Sequence, residues 1–188
     1  MEASYTEIHR DIIERCHRGE RSAQNQLYKL YAKAMFNVSF RITNDLNDAE
    51  DILQDAFISA FKNLKSYRAE ASFGAWLKRI VVNKSINHLK KKHLQLEQLS
   101  ETEVDRGEDN PWEDQFEQVN LDVRRVKNAI RSLPDGYRLV FSLYLLEGYD
   151  HKEIASILDI TESTSKSQYN RSKKKIKEIL EKEEHYGR

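Results

Sequence analysis

The segment Lys65–His93, KSYRAEASFGAWLKRIVVNKSINHLKKKH, gathers the side-chain types that contact nucleic acids. It holds Tyr67 and Trp76, and it carries six Lys or Arg residues from Lys78 to Lys92. No Asp or Glu follows Glu70 within it. Cations meet phosphates, amides read base edges and aromatic rings stack on unpaired bases. The composition of this segment therefore favours binding to a nucleic acid.

A helix predicted over Phe73–Lys92 would place these groups on one side. Apolar positions on another side suit a core: Leu77, Ile80, Val81 and Leu89. At about 100° per residue, the residues that fall together away from it are Trp76, Arg79, Asn83, Asn87 and Lys90. The preceding loop and the helix start add Tyr67, Arg68 and Phe73. The alternative is a half-buried Trp beside a solvated cationic face. The clustering favours nucleic acid, and a ring near a loop favours single-stranded or opened DNA.

The preceding helix, predicted over Ala49–Leu64, is acidic on one side. Its expected core stripe is Ile52, Leu53, Ala56, Phe57 and Ala60. The residues expected together on the far side are Asp48, Asp51, Gln54 and Asp55. A divalent cation site would need further ligands that the sequence does not offer nearby. A solvated acidic face and a docking face for a basic partner protein both remain. The docking face is preferred because a DNA-binding module has little reason to concentrate acids.

A helix-turn-helix is predicted between Asp150 and Ile176. Asp150 and Glu153 form a capping box for a helix over His151–Leu158. A tight turn follows, and Thr161 can cap a second helix over Glu162–Leu180. The inward residues of this second helix are Ser165, Tyr169, Ser172 and Ile176. The outward residues, which would enter the major groove, are Ser163, Lys166, Ser167, Asn170 and Lys174, with Arg171 on the flank. The alternative is a generic helical hairpin with a lysine-rich tail.

Helical spacing of the apolar residues throughout predicts an all-α protein. The remaining expected helices are Thr6–His17, Ser22–Ile42, Val119–Ser132 and Tyr137–Leu146, with breaks at Asn44–Asn47 and Leu133–Gly136. The helix over Ser22–Ile42 is expected to align Leu27, Leu30, Tyr31, Ala34 and Val38 on one side.

Charge divides the chain. The 31 Lys and Arg residues balance the 31 Asp and Glu residues, so net charge alone predicts no partner. Residues 94–118 nevertheless hold nine acids and one base, whereas residues 166–177 hold six bases and no acid. The acidic stretch also contains Gly107 and Pro111, as a linker would. We expect two small helical domains, residues 1–93 and 119–188, joined by an acidic flexible linker, residues 94–118.

Other classes of protein are disfavoured. A lone cysteine, Cys16, cannot form an internal disulfide, which suits a reducing compartment. Neither an apolar leader at the N-terminus nor an 18-residue apolar run is visible, so a soluble, cytoplasmic protein without membrane insertion is expected. The sequence lacks a Gly-rich phosphate loop and Cys/His metal spacing. We therefore expect no enzyme, metal or cofactor, and we interpret His151 as a first-turn surface residue rather than a catalytic base.

From about Gly19 to Leu180, these segments in this order resemble the extracytoplasmic-function (ECF) subfamily of bacterial sigma-70-type transcription initiation factors. DAEDILQDAFISAFKNL is similar to the polymerase-binding helix of that family. SYRAEASFGAWLKRIVVNKSINHLKKK is similar to its promoter-melting loop and helix, and residues 133–176 are similar to its fourth region. The resemblance implies a region 2 four-helix domain and a region 4 helix-turn-helix domain.

The resemblance also implies partners and residue roles. Core RNA polymerase would dock on Asp51, Gln54 and Asp55, with Asp48 beside them. The loop Tyr67–Phe73 would capture a base flipped from the melted non-template strand, with Trp76 and Asn83 at the edge of strand opening. Residues that would touch bases or phosphates of the upstream promoter duplex are Lys166, Ser167, Asn170 and Arg171. An anti-sigma factor is a further implied partner.

Some positions depart from the family pattern. Asp159 stands where members often carry Gly, and Asp tolerates the left-handed conformation. Ser165, Tyr169 and Ser172 stand where Val, Leu and Ala are frequent, which predicts looser packing of the recognition helix. Glu162 favours the helix dipole but would repel a nearby phosphate. The alternative function is a stand-alone dimeric helix-turn-helix regulator, which would leave the acidic helix face unexplained.

Overall fold

The computed structural model describes residues 8–99 and 121–186, and all regular structure within these ranges is helical. The predicted all-α class is confirmed. The chain divides into two compact units, Met1–Arg106 and Gly107–Arg188.

The amino-terminal unit is built around one long helix. Its helices are α1 (Arg10–His17), α2 (Arg21–Thr43), α3 (Leu46–Lys62) and α4 (Phe73–Leu99), with a 3-10 turn at Leu64–Ser66 between α3 and α4. Helix α2 packs against α1, α3 and α4, and α3 also packs against α4. A single core therefore fixes the orientation of all four helices.

The side of α2 on which the sequence aligns five apolar or aromatic residues is only partly buried. Leu27 is fully buried and Val38 nearly so, but Leu30 is 49% exposed and Ala34 also faces outward. The positions buried in their place include Ala32, Met35, Phe36 and Phe40. A helix with neighbours on several sides buries more than the single stripe that an amphipathic pattern describes, so the aligned apolar residues do not identify the buried side of α2.

The junction between α2 and α3 is held by local and tertiary contacts. Asn44 ends α2 in the left-handed conformation with φ 57°. Asp45 then caps α3, its Oδ1 accepting a hydrogen bond of 3.0 Å from the Asp48 amide. The Lys92 ammonium on α4 lies 3.4 Å from Asp45 Oδ2 and 2.7 Å from Asp48 Oδ2. The start of α3 is thus tied to α4.

This junction shifts the pKa of Asp45. Partial burial acts to raise the pKa, but the Asp48 amide and the Lys92 ammonium outweigh it, and the pKa lies below the usual value for Asp. A carboxylate with a depressed pKa in the folded state adds stability above its unfolded pKa, and this stability is lost as the pH falls through the folded value. The junction therefore weakens in acid.

Helix α4 is longer than predicted. It continues from the expected end at Lys92 to Leu99, so residues 94–99 of the segment predicted as linker are helical. The rest of the predicted acidic linker from residue 100 lies outside the described residues, as do Thr6, Glu7, Val119 and Asn120 of the predicted helices.

The carboxy-terminal unit is centred on its last helix. Its elements are α5 (Leu121–Arg131), α6 (Asp135–Phe141), a π turn (Ser142–Leu146), α7 (His151–Leu158) and α8 (Glu162–Tyr186). Helix α8 packs against α5, α6 and α7. One part of the core consists of Ala129, Leu133, Phe141 and Ile176. The break predicted at Leu133–Gly136 is shorter than expected, because α6 begins at Asp135.

A substitution at Asp45 tests the α2–α3 junction. We expect Asp45→Ala to lower the free energy of unfolding of the amino-terminal unit by about 1 kcal/mol, the usual cost of losing an N-cap. Asp45→Asn keeps a capping oxygen but removes the charge facing Lys92, so it should lose less at neutral pH. Both variants should lose less additional stability than the wild type as the pH is lowered.

Denaturant titration of the full chain, with hydrogen exchange of the first α3 amides, measures these effects. Equal losses in the two variants would contradict a capping role for the side-chain oxygen.

Candidate nucleic-acid interface

The outward face of α3 is acidic and partly apolar. Asp51, Gln54 and Asp55 are exposed, as expected from the sequence. The predicted core stripe, Ile52, Leu53, Ala56, Phe57 and Ala60, is buried, so this part of the prediction is confirmed. Ile58 lies on the outward side with 51% of its surface exposed. Its spacing from Gln54 and Asp55 places it beside them on the helix. Sequence reasoning missed Ile58, although an apolar residue between stripe positions was the available signal.

Asp48 does not belong to this exposed set. Its side chain is only 17% exposed, it pairs with Lys92, and its Oδ1 lies 3.1 Å from His88 Nε2. The expectation that Asp48 lies with Asp51, Gln54 and Asp55 is therefore wrong. Residue 48 is on the flank of α3 that faces α4, and a helical projection alone does not reveal that neighbour.

Helix α4 separates a core side from a cationic side. Leu77 and Val81 are fully buried and Leu89 nearly so, whereas Ile80 is half-buried. The exposed residues are Arg79, Asn83, Asn87 and Lys90, as predicted. Guanidinium, amide and ammonium groups thus line one helical face. Such a face can bind a phosphate backbone and hydrogen-bond base edges.

Phe73 is a core residue and not an interface residue. It is 0% exposed, and its ring contacts the rings of Tyr31, Tyr67 and Trp76 at centroid distances of 5.3, 5.7 and 5.5 Å. The expectation that it contacts DNA is therefore wrong. Trp76 and Tyr67 are half-buried, with ring centroids 5.4 Å apart. The buried Phe73 side chain therefore supports these two partly exposed rings by packing against both of them.

The loop before α4 has a defined shape. The Tyr67 hydroxyl donates a hydrogen bond of 2.8 Å to the Ala71 carbonyl. Ala69 has φ 56°, a conformation that costs a non-glycine residue energy and that the surrounding contacts must hold. Ser72 Oγ accepts a hydrogen bond of 3.1 Å from the Ala75 amide at the start of α4. Arg68 is therefore exposed on a loop of defined conformation. This loop adjoins the aromatic cluster, which consists of Tyr31, Tyr67, Phe73 and Trp76.

A contact with α2 supports the start of α4. The Tyr31 hydroxyl lies 2.8 Å from His9 Nδ1 in a hydrogen bond. A Cβ added to Gly74 would meet Tyr31 Cε1 at 2.8 Å, so only glycine fits there without a shift of the ring. The Tyr31 ring also contacts Phe73. The aromatic cluster therefore rests on α2 and, through His9, on the residue before α1.

The helix-turn-helix forms as predicted. The Asp150 and Glu153 capping box is present, with both reciprocal hydrogen bonds. Asp159 adopts the left-handed conformation with φ 59°, which confirms that Asp serves in place of glycine. Thr161 Oγ1 accepts a hydrogen bond of 3.0 Å from the Thr164 amide. These local contacts fix the turn between α7 and α8.

The outward side of α8 is polar and basic. The exposed residues are Ser163, Lys166, Asn170, Arg171 and Lys174. Ser167 is half-buried, and its hydroxyl donates a hydrogen bond of 3.0 Å to the Thr164 carbonyl. Lys166 Nζ lies 2.6 Å from Glu162 Oε1, and this hydrogen bond lowers the pKa of Glu162 below its usual value. Glu162 and Lys166 thus form an exposed ion pair in the first turn of α8.

The inward side of α8 is buried despite its small polar residues. Ser165 and Ser172 are both 0% exposed, so these positions do not leave the helix solvated. His151 is half-buried, and its Nδ1 lies 2.9 Å from Ser165 Oγ in a hydrogen bond. The interpretation of His151 as a simple surface residue is therefore wrong, whereas the expectation of looser packing at Ser165 and Ser172 stays a prediction.

Within the described residues, we find no group of three or more His, Cys, Asp or Glu side chains that could hold a metal ion. Over the same ranges, none of the helices combines the length and apolar character that crossing a membrane requires.

The amino-terminal unit has a cationic face with aromatic residues, and the carboxy-terminal unit has a helix-turn-helix. Both features are typical of DNA-binding transcription proteins. Two family models match this chain: sigma-70 region 2 over residues 27–94 and sigma-70, region 4 over residues 123–176. The chain belongs to the sigma-70 family.

Two similar proteins are named as ECF RNA polymerase sigma factors. The chain is 28% identical over 181 residues to the ECF RNA polymerase sigma-E factor of Haemophilus influenzae, covering 90% of this chain and 94% of that protein. It is 27% identical over 178 residues to the ECF RNA polymerase sigma factor SigW of Bacillus subtilis, covering 89% and 94%. The resemblance to the ECF subfamily is thereby confirmed.

Solved structures share the fold. The sigma factor RpoE of Bartonella quintana, in complex with the anti-sigma factor NepR, matches with a TM-score of 0.62 at 21% identity, covering 84% of this chain and 96% of that chain. CnrH, in complex with the cytosolic domain of CnrY, matches with a TM-score of 0.51 at 22% identity, covering 92% and 96%.

A substitution at Gly74 tests the support of the aromatic cluster. Replacing a helical glycine by alanine normally adds about 0.5–1 kcal/mol of stability. We expect Gly74→Ala to lower stability instead, by about 1 kcal/mol or more, because the new methyl group overpacks against the Tyr31 ring. Chemical denaturation of the full chain measures the change.

The control is Gly74→Ala combined with Tyr31→Leu, compared with Tyr31→Leu alone. With the ring removed, the alanine should no longer cost stability. A cost that persists without the ring would contradict the contact as its cause.

Proposed function

We propose that this protein is an ECF sigma factor that binds core RNA polymerase and directs promoter-specific initiation of transcription. The observation that carries the proposal is the placement of an acidic face on α3 and an acid-free cationic face on α4 of one rigid bundle. A single unit can then bind a protein and a nucleic acid at the same time. Family membership and the helix-turn-helix in the second unit support the same function.

The proposed division of labour follows the domains expected from the sequence. Residues 1–93 would dock on the polymerase and recognise and open the downstream promoter element. The rest of the predicted linker after the end of α4, residues 100–118, would connect the two units, and residues 119–188 would bind the upstream element.

Polymerase docking is assigned to the exposed side of α3. Asp51, Gln54 and Asp55 supply hydrogen-bond acceptors and negative charge for a basic partner surface. Ile58 adds apolar area beside them, and apolar area at the centre of an interface supplies binding energy that rim charges do not. Asp48 is left out, because its ion pair with Lys92 gives it a structural role.

Strand opening is assigned to the loop and the exposed side of α4. Trp76 and Tyr67 present ring edges and faces beside Arg68, and an unpaired base can stack on such a surface. The groups placed to follow the strand along α4 are Arg79, Asn83, Asn87 and Lys90. Phe73 contributes only by holding the two rings in place. Opening is driven by the capture of unpaired bases once the polymerase holds the DNA.

Upstream recognition is assigned to α8. The side chains that would face the major groove are Ser163, Lys166, Ser167, Asn170, Arg171 and Lys174. Lys166 would exchange its exposed ion pair with Glu162 for a phosphate contact, and such a surface pair costs little to break. Polar side chains near Asn170 would then read base edges.

Regulation by an anti-sigma factor is part of the proposal. One of the two solved structures named above is a sigma factor in complex with an anti-sigma factor. Relatives of this chain bear the names of sigma factors, which are not enzymes, and we assign no catalytic residue. Because bacterial RNA polymerase acts in the cytoplasm, we place this protein there.

Charge reversal on α3 tests the docking surface. We expect Asp51→Lys with Asp55→Lys to weaken binding to core RNA polymerase by about tenfold or more, because like charges would face each other in the complex. Competition with labelled wild-type protein for core enzyme measures the loss.

The matched control is Asp11→Lys with Glu14→Lys, which changes the net charge equally on exposed acids of α1, away from that face. Docking by Asp51 and Asp55 would be contradicted by equal weakening in both double variants, or by normal assembly of the first.

Replacement of Trp76 tests strand opening. We expect Trp76→Ala to reduce open-complex formation more than initial promoter binding, because stacking on an aromatic ring is worth about 1–3 kcal/mol per base and is gained only after the strands separate. Trp76→Phe keeps a ring against Phe73 and should retain most of the opening.

Permanganate reactivity of unpaired thymines measures opening, and footprinting at low temperature measures initial binding. An equal loss in both steps, or a similar loss in Trp76→Phe, would remove the assigned role of Trp76.

A further inference from the structure

The joint between α7 and α8 is polar where a helix-turn-helix usually relies on apolar contact. Ser165 and Ser172 occupy fully buried positions of α8 and offer little apolar area for packing. His151 of α7 makes a hydrogen bond to Ser165, and the His151 ring stacks on Tyr144 of the π turn. The orientation of α8 therefore depends on these partners.

His151, on α7, contacts three residues on two other elements. Its ring is stacked on Tyr144 of the π turn, with centroids 4.3 Å apart and planes at 12°. Its Nδ1 lies 2.9 Å from the Oγ of Ser165 on α8. Its ring also lies 5.8 Å from that of Tyr169, one helical turn further along α8. No functional role assigned above uses this residue.

The hydrogen bond differs physically from the apolar contact that it replaces. A hydrogen bond prefers a near-linear geometry and weakens steeply once its angle falls below about 120°, whereas apolar burial has no preferred direction. The bond to Ser165 therefore limits rotation of α8 about its own axis. Lys166 and Asn170 follow on the same helix, so the rotation that is limited is the one that would move them across the base edges.

Tyr169 and Lys173 extend the joint along α8. The Tyr169 ring lies 4.5 Å from that of Tyr144 and 6.0 Å from that of Phe141. Lys173 Nζ lies over the Tyr169 ring, 4.7 Å from its centroid. A cation in this position interacts with the face of the ring. A run of aromatic contacts thus continues from His151 toward the basic part of α8.

We propose that His151 is a positioning residue for recognition of the upstream promoter element, and that its hydrogen bond to Ser165 sets the rotation of α8 in the major groove. The inference rests on the proposed function and extends it, because it concerns specificity rather than affinity. His151 itself need not touch DNA.

The test uses the full chain with core RNA polymerase. Wild-type holoenzyme first selects promoter fragments from a pool of genomic DNA by transcription, and one selected fragment is then remade with its upstream element scrambled. The specificity ratio is the initiation rate on the intact fragment divided by that on the scrambled one. Thermal unfolding of each variant is measured in parallel.

Two single variants separate the hydrogen bond from the ring. His151→Phe keeps a ring against Tyr144 but leaves the Ser165 hydroxyl without its partner, and we expect it to lower the ratio by about tenfold, comparable to one mismatched base pair. His151→Asn keeps a polar atom near the position of Nδ1 and should hold the ratio close to the wild-type value.

A double variant separates positioning from stability. His151→Phe with Ser165→Ala removes both partners, which costs little stability compared with removing one. We expect this variant to unfold near the wild-type temperature while its specificity ratio stays low. A stable protein with reduced specificity is not the result that a merely structural residue would give.

Other results would overturn the inference. One is an unchanged ratio in His151→Phe, and another is a ratio that recovers together with stability in the double variant. A wild-type ratio close to one would overturn the proposed function as well, since the upstream element would then not be read at all.

Discussion

The burial of α2 among three neighbouring helices is the constraint on which the amino-terminal unit depends. Leu27, Phe36 and Ile42 are fully enclosed there. Burial of apolar surface contributes about 25 cal/mol per Å² removed from water, so a helix that is enclosed on several sides dominates the stability of a small bundle. Helices α3 and α4 each pack one side against α2, and this packing determines which residues of α3 and α4 face the solvent. The separation of acids from cations follows from this packing.

Features whose causes are local could be predicted from the sequence with an accuracy of one residue. Helix α7 begins after Asp150 and ends before Asp159, as expected, because a capping box and a left-handed residue act within a few positions of themselves. The exposed residues of α4 and α8 also lie where the helical period puts them. In the same way, the buried stripe on α3 needed only the assumption that one side faces a core.

Features that depend on a distant partner could not be predicted. Asp48 is paired with Lys92, which is 44 positions away in the sequence, and the Ser165 hydroxyl is paired with His151 on another helix. A helical projection gives the direction of a side chain but not what lies in that direction. For the same reason Phe73, between two exposed-looking aromatic positions, looked like an interface residue although it is enclosed. The errors in the candidate site are errors about neighbours.

Ile58 is exposed beside Asp51 and Asp55, so the proposed docking surface combines an apolar contact with charges. These two kinds of contact respond differently to ionic strength. Attraction between exposed charges is screened over about 8 Å at physiological salt. The removal of an isoleucine side chain from water is not weakened by counterions. In the proposed complex with polymerase, added salt should therefore slow the encounter by masking the carboxylates, while a complex already formed retains the share of its lifetime that the aliphatic contact provides.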